Sequence, residues 1–385
     1  MNPRQAVIVG IYTTKQAKRL EGRTSQDVMF EAVFGAIADA GLDPREVDGA
    51  AVDWPGMGGA PGDSSSIAPF LHQPLFWVDS HHMDTAGVRG ILKAASAIEG
   101  GLCDTVVVGS GFAGVFSSGG QAIGSNMGME FGEPYGASTL AHFALVAQRH
   151  MYEFGTTQEQ LAHISATIRN HGHVNPDAAL YGAGPHTVAS ILASPVIATP
   201  LHRLDCCMVN EGGAAVVLTT RERARDLKNR AVQILGGGME FFDGNYANPA
   251  LYREQRHLGK QAARRTFGRA GAQVADIDVF SIYDPCSFEV LRLFEMLGAC
   301  AEGEGGPFCG GDRLTLSGSH PTNLDGGMLS CSWTGTGQLT MKAIEGIRQL
   351  RGSAGGHQVA GAELAFVSNA GSGAAHVEMM LLGGV

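Results

Sequence analysis

The chain has 385 residues, 44% of them apolar, and a net charge of −10. That size buries a substantial core, either as two domains or as one large double-layered unit. The acidic balance and the lack of any Lys/Arg run exclude the basic footprint that nucleic acid requires, and no apolar window is long enough to span a bilayer.

The opening "MNPRQAVIVGIYTT" passes straight into a strand-like run without the layout of a leader segment, so a cytoplasmic location is expected. Residues 36–55 read as a helix ending in Ala-Gly, a short polar loop and a strand ending in Pro, with Gly41 as C-cap. After a Gly-rich turn at 55–66, residues 77–111 give a short extended run, a tight entry, a helix starting near Thr85 and the buried strand "TVVVGSG". Residues 141–178 read as two amphipathic helices and a loop, inserted over the first half and suited to shaping a substrate tunnel. Further continuous apolar runs follow: "AAVVLTT", "IDVFSIYD", "ELAFVSN" and "VEMMLLG". Continuous rather than alternating runs mark strands covered on both faces, and the class is therefore layered α/β.

Residues 36–55 and 267–285 superpose without gaps at an offset of 230, matching Gly41 to Gly271, Asp48 to Asp278 and Pro55 to Pro285. More loosely, 85–111 answers 335–352 followed by 362–373. Two pseudo-duplicated halves are expected, 1–225 with an insertion at about 112–200, and 226–385, facing each other across a shared core. The seven cysteines (103, 206, 207, 286, 300, 309 and 331) are odd in number and form no CxxC pair. They fit reduced thiols rather than a disulfide frame or a zinc site. "HGHVNP" at 171–176 has metal-like histidine spacing but no further ligands in sequence, and no metal is assigned.

Four segments in order, 155–178, 204–220, 278–300 and 323–330 with its following helix, resemble the thiolase superfamily, in particular its sterol-carrier-protein (lipid-transfer-protein) type branch. The resemblance covers nearly the whole chain and implies the thiolase fold, an αβαβα layering of two similar halves. It also implies three catalytic positions, a Cys at the start of the first-half helix and two His. These fall here on Asp84, Trp333 and Tyr283, so the covalent thiolase set is missing. A helix N-terminus stabilises a thiolate nucleophile, and an Asp there cannot take over that role.

The Tyr283-Asp284 segment resembles instead the thiolase-fold aldolases that shorten steroid side chains. Those enzymes lack the Cys, cleave a β-hydroxyacyl-CoA by a retro-aldol reaction and work with an OB-fold partner of the DUF35 type, often zinc-bearing. Trp333 departs from that pattern, which usually carries a second Tyr, and leaves proton transfer one hydroxyl short. The resemblance further implies a homodimer through the first-half sheet and a heterotetramer with the DUF35 partner. Coenzyme A enters as part of the substrate, and no covalently bound cofactor is expected.

From the residues, the catalytic candidates are Tyr283, Asp84, Trp333 and His142. A phenol near pKa 10 needs a cation or donor close by to act as a base, for which His142 and His82 are candidates. Asp84 reads equally as an ionised acid at a helix N-terminus or as its N-cap. Trp333 reads as a wall of an acyl pocket, a donor, or packing. Candidate substrate contacts are His82, Asp284, Cys331 and the Gly-rich turn Gly371, Ser372 and Gly373, whose N–H groups suit a thioester oxygen. Two alternatives stand beside the lyase: a thiolase or acyltransferase with a displaced Cys (Cys331 or Cys286), and a non-catalytic acyl-CoA or lipid carrier subunit.

Overall fold

The computed structural model describes residues 4–55, 62–80, 86–114, 136, 139–242, 255–371 and 373–384. Eleven strands are described: β1 (Ala6–Thr13), β2 (Gly49–Asp53), β3 (Trp77–Asp79), β4 (Thr105–Phe112), β5 (Val196–Ala198), β6 (Leu201–His202), β7 (Gly212–Thr220), β8 (Val232–Phe241), β9 (Val279–Ser281), β10 (Leu364–Gly371) and β11 (His376–Gly384). The helices that carry the architecture are α1 (Ser25–Ala40), α2 (Gly87–Glu99), α3 (Thr139–Phe154), α4 (Gln158–Val174), α5 (Lys260–Ala270), α6 (Ser287–Leu297), α7 (Gly327–Cys331) and α8 (Gly337–Arg351). Nine strands form one sheet in the order β3-β2-β4-β7-β1-β8-β11-β10-β9, while β5 and β6 form a separate hairpin. The two halves of the sheet join where β1 meets β8, through the pairs Val7–Gln233 and Ile8–Val232.

The duplication expected from the repeat is physical. Both Gly41 and Gly271 close their helices in the left-handed region, at φ 73° and 64°. Asp48 accepts the Thr105 N–H at the start of β4, at 2.8 Å, and Asp278 accepts the Leu364 N–H at the start of β10, at 2.9 Å. Each carboxylate thus ties the loop before one strand to the start of its parallel neighbour. Helices α2 and α8 lie between the half-sheets, sharing one core with Ile8, Val106, Val216, Ala365 and Met380. Helix α1 covers one outer face, and α3, α4, α5 and α6 cover the other. This is the αβαβα layering expected for the thiolase fold.

Strand β8 has no counterpart among the strands expected from the sequence, where Gly236, Gly237 and Gly238 interrupt its apolar run. The structure uses the three glycines to let helices approach: a Cβ on Gly236 or Gly238 would fall 2.1 or 2.4 Å from a carbonyl oxygen of α5, and one on Gly237 2.5 Å from Leu92 of α2. The "IDVFSIYD" run is strand only over β9, so Tyr283 and Asp284 sit in the bend between β9 and α6. That bend is held from behind by α6, which is buried along its whole length. Its charges are neutralised internally: Glu289 takes two bonds from Arg292, and Glu295 pairs with His150. Paired and hydrogen-bonded in this way, they bear the cost of burial.

Candidate active site

The site is assembled where the ends of β9 and β10 meet the first turn of α2. Tyr283 is 5% exposed and donates its backbone N–H to Ser368 Oγ at 3.2 Å. One residue on, the Asn369 side chain accepts the Val88 N–H at 2.7 Å, and Thr340 Oγ of α8 accepts the Gly87 N–H at 3.0 Å. The helix begins at Gly87, close to the expected start, and two N–H groups of its first turn are bonded from the second half of the chain. Asp84 and His82 lie outside the described residues.

The Tyr283 bend is clamped twice. The Asn323 carboxamide accepts the Ile282 N–H at 2.8 Å and donates to the Ile282 carbonyl at 2.9 Å. To do so Asn323 adopts φ 49°, a left-handed conformation that Asn tolerates better than most residues. Behind the bend, fully buried Asp284 accepts the N–H groups of Met328 and Leu329 at 2.9 and 3.3 Å, and Lys342 Nζ of α8 lies 2.8 Å from its carboxylate. A Cβ on Gly327 would collide with that carboxylate at 2.1 Å, so glycine is required for the approach. Burial pushes the Asp284 carboxyl up. Burial also opposes the charge on Lys342, and Asp284 with Asp325 carries the amine above its ordinary value. Asp284 is thus a joint between the bend, α7 and α8, its buried carboxylate held by Met328, Leu329 and Lys342.

Trp333 is half-buried; its backbone N–H donates to the Met208 carbonyl at 2.6 Å and its backbone carbonyl accepts the Asn210 N–H at 2.8 Å. Its ring meets Phe112 edge-on at 5.1 Å. The preceding Ser332 is held at φ 71° and ψ 177°, a region costly for any residue but glycine. His142 of α3 is buried against the β10–β11 turn; a Cβ on Gly373 (φ 65°) would lie 2.2 Å from the His142 Cβ. The structure thus brings Tyr283, the Gly371–Gly373 turn and His142 into one region. Ser372 lies outside the described residues.

The thiols are poorly suited to nucleophilic work. Cys331 is buried with its Sγ 3.7 Å from the Asp325 carbonyl, and burial pushes it well above the ordinary thiol value; the same holds for Cys286. Cys331 lines a cavity of about 530 Å³ with Asp325, Glu345 and Arg348, yet its thiol stays in the protonated form. His171 of "HGHVNP" lies in the last turn of α4 and bonds the Asn323 carbonyl, and among the described residues no cluster of three or more His, Cys, Asp or Glu could hold a metal.

Sequence reasoning missed Asn323, Lys342 and an ionic cluster of Arg89, His376 and Glu378. The last had a readable signal: His376 and Glu378 are two apart at the start of a strand and so share a face.

Residues 256–384 match the family Thiolase C-terminal domain-like. Over 96% of its length the chain is 32% identical to the 17-hydroxy-3-oxo-4-pregnene-20-carboxyl-CoA lyase of Mycobacterium tuberculosis, covering 97% of that protein. It is 31% identical to the steroid side-chain-cleaving aldolase of Thermomonospora curvata, over 85% of this chain and 86% of that one. Among solved structures it resembles an Ltp2-ChsH2(DUF35) aldolase with a TM-score of 0.87 and 27% identity, covering 100% of this chain and 98% of the other.

Proposed function

The chain belongs to the thiolase superfamily, in the branch of its carbon–carbon lyases, and we propose that it cleaves a β-hydroxyacyl-CoA with a bulky, steroid-like acyl group by a retro-aldol reaction. The observation that carries this reading is the contrast between the two kinds of group at the site. The nearby thiols are buried and protonated, while Tyr283 sits on a bend clamped by Asn323 and Asp284.

Retro-aldol cleavage needs no covalent intermediate. It needs a base for the β-hydroxyl proton, donors for the thioester oxygen as it gains enolate charge, and an acid for the α-carbon. In our reading the Gly371–Gly373 turn supplies backbone donors. Tyr283 supplies the acid, since a phenol gives up a proton to an enolate carbon more readily than it removes one from an alcohol. Trp333 and Phe112 wall the acyl group.

The edge strand β3 ends the sheet, and exposed Val78 together with neighbouring Phe76 supports pairing with a second copy. The DUF35 subunit in the related aldolase supports an OB-fold partner here. No helix among the described residues is long and apolar enough to cross a membrane, and a soluble, cytoplasmic setting fits this reading.

Incubation with a β-hydroxyacyl-CoA in the absence of free CoA tests the function. Release of a carbonyl compound and a shorter acyl-CoA is expected, and Tyr283→Phe should abolish it. An acylated cysteine in the mass spectrum, or undiminished turnover by Tyr283→Phe, would overturn the assignment.

A further inference from the structure

The retro-aldol reading names an acid but leaves the base for the β-hydroxyl unassigned, and Trp333 carries no group able to take that proton. Strand β11 opens with His376 and Glu378. In the hairpin register Gly371 faces His376 and Asn369 faces Glu378, so these four residues share one face of the sheet. It is the face turned to the first turn of α2, because Asn369 bonds Val88 and Glu378 bonds Arg89.

The cluster is built for a histidine held in one orientation. His376 Nδ1 lies 3.1 Å from Glu378 Oε1, and Arg89 Nε donates to the same oxygen at 3.0 Å. The Phe241 ring stacks on the imidazole at 5.4 Å and 13°, with the Arg89 guanidinium 4.5 Å over the same ring. Glu378 is buried; desolvation alone would raise its carboxyl, but His376 and Arg89 outweigh it and hold the group down at about 2. Nδ1 lies 3.1 Å from the Glu378 carboxylate and 3.3 Å from Arg89 Nη2, so it meets an acceptor and a donor; we assign its proton to the nearer, ionised carboxylate, which leaves the lone pair on Nε2.

Nε2 has no hydrogen-bond partner among the described residues and faces Gly371, where a Cβ would fall 2.4 Å away. The bare glycine lets the imidazole edge lie directly against the turn that we assign to the thioester. Among the described residues, the charged and titratable groups facing the ring are Arg89 from α2 and Glu378 from its own strand, while His142 of α3 lies beyond Gly373 on the same turn.

We propose that His376 is the catalytic base of the lyase reaction, with Glu378 and Arg89 as the positioning residues that orient it. The proposal rests on the retro-aldol reading above. The β-hydroxyl proton passes to Nε2 as the oxygen forms the new C=O bond. The Cα–Cβ bond breaks, and its electron pair moves into the thioester as the enolate. Tyr283 then protonates the α-carbon, and the imidazolium returns its proton to the phenolate, so that no proton is gained or lost overall. The imidazolium forms beside a buried carboxylate that stabilises it, the arrangement that makes a carboxylate-oriented histidine an effective base.

The test is the pH dependence of kcat/KM and the separate kcat and KM values of His376→Gln and Glu378→Gln in the full chain with any co-purifying partner, using a β-hydroxyacyl-CoA. General-base loss predicts a fall in kcat of about 10²–10⁴-fold for His376→Gln. KM should change little, and the acid limb of the profile should vanish. Glu378→Gln should lower kcat less and move that limb. If His376→Gln keeps its acid limb and a kcat within about threefold of the parent, a range far below that of general-base loss, the proposal falls; with Tyr283→Phe inactive, the retro-aldol reading survives. A parent enzyme that does not cleave the substrate overturns both.

Discussion

Replacing Lys342 by Met is the most direct probe of how the site is held together. Lys342 and Asp284 are 2% and 0% exposed at the side chain, with Nζ 2.8 Å from Oδ1. At an effective dielectric of about 20 that separation corresponds to an attraction of roughly 6 kcal/mol, much of it offset by the desolvation of both ions. Removing one partner leaves the other charge buried and alone, which typically costs about 3–5 kcal/mol. Against a total stability of about 5–15 kcal/mol, this is a large fraction. Because burial pushes the Asp284 carboxyl up, the unpaired acid escapes part of the penalty by taking a proton. The cost of Lys342→Met should therefore be smaller at pH 5 than at pH 8, since low pH supplies that proton. The double variant Asp284→Asn/Lys342→Met removes the stranded charge and keeps an oxygen for the Met328 N–H, so it should be more stable than Lys342→Met alone. Denaturant unfolding of the three proteins at both pH values is the assay. A loss under about 1 kcal/mol for Lys342→Met, small beside the typical cost, or a double variant less stable than the single one, would refute the reasoning.

Gly373→Ala places a Cβ 2.2 Å from that of His142 at a φ of 65°, so it should lower activity by displacing the turn; near-wild-type kcat/KM would show that the turn tolerates rearrangement. Glu378, depressed to about 2 in the fold from an ordinary 4.5, contributes stability that is complete above about pH 4.5 and is lost as pH falls toward 2. A shift of this size amounts to about 3 kcal/mol, so the melting-temperature gap between the parent and Glu378→Gln should narrow over that interval. Cys286, Cys309 and Cys331 are buried with raised thiols, and a thiol reagent at pH 8 should leave them unmodified until denaturant is added. Peptide mapping after brief alkylation would show this.

Most of the frame was legible in the sequence because it rests on local chemistry. Continuous apolar runs declare buried strands whatever surrounds them, and the Ala-Gly helix ends at 40–41 and 270–271 declare left-handed caps. The 230-residue repeat announces a duplicated fold, and the three positions that depart from the thiolase pattern, Asp84, Tyr283 and Trp333, announce altered chemistry. Strand β8 escaped because its glycines are explained by the helices that press against them, which lie 24 or more residues away in α5 and on the far side of the sheet in α2.

The site itself was decided by the tertiary structure, because the groups that define it are partners across long stretches of chain. Asp284 looks the same in sequence whether it binds substrate or Lys342, and only the approach of α7 and α8 makes it a joint. In the first turn of α2 the Val88 and Gly87 N–H groups are bonded by Asn369 and Thr340, 281 and 253 residues away, which no local pattern announces. His376 and Glu378 are an unremarkable pair in "HVEMM" until the hairpin register sets Gly371 opposite the imidazole and α2 brings Arg89 to the carboxylate. Composition and periodicity fix which segments are helix or strand, but the protonation and orientation of a side chain depend on neighbours chosen by packing.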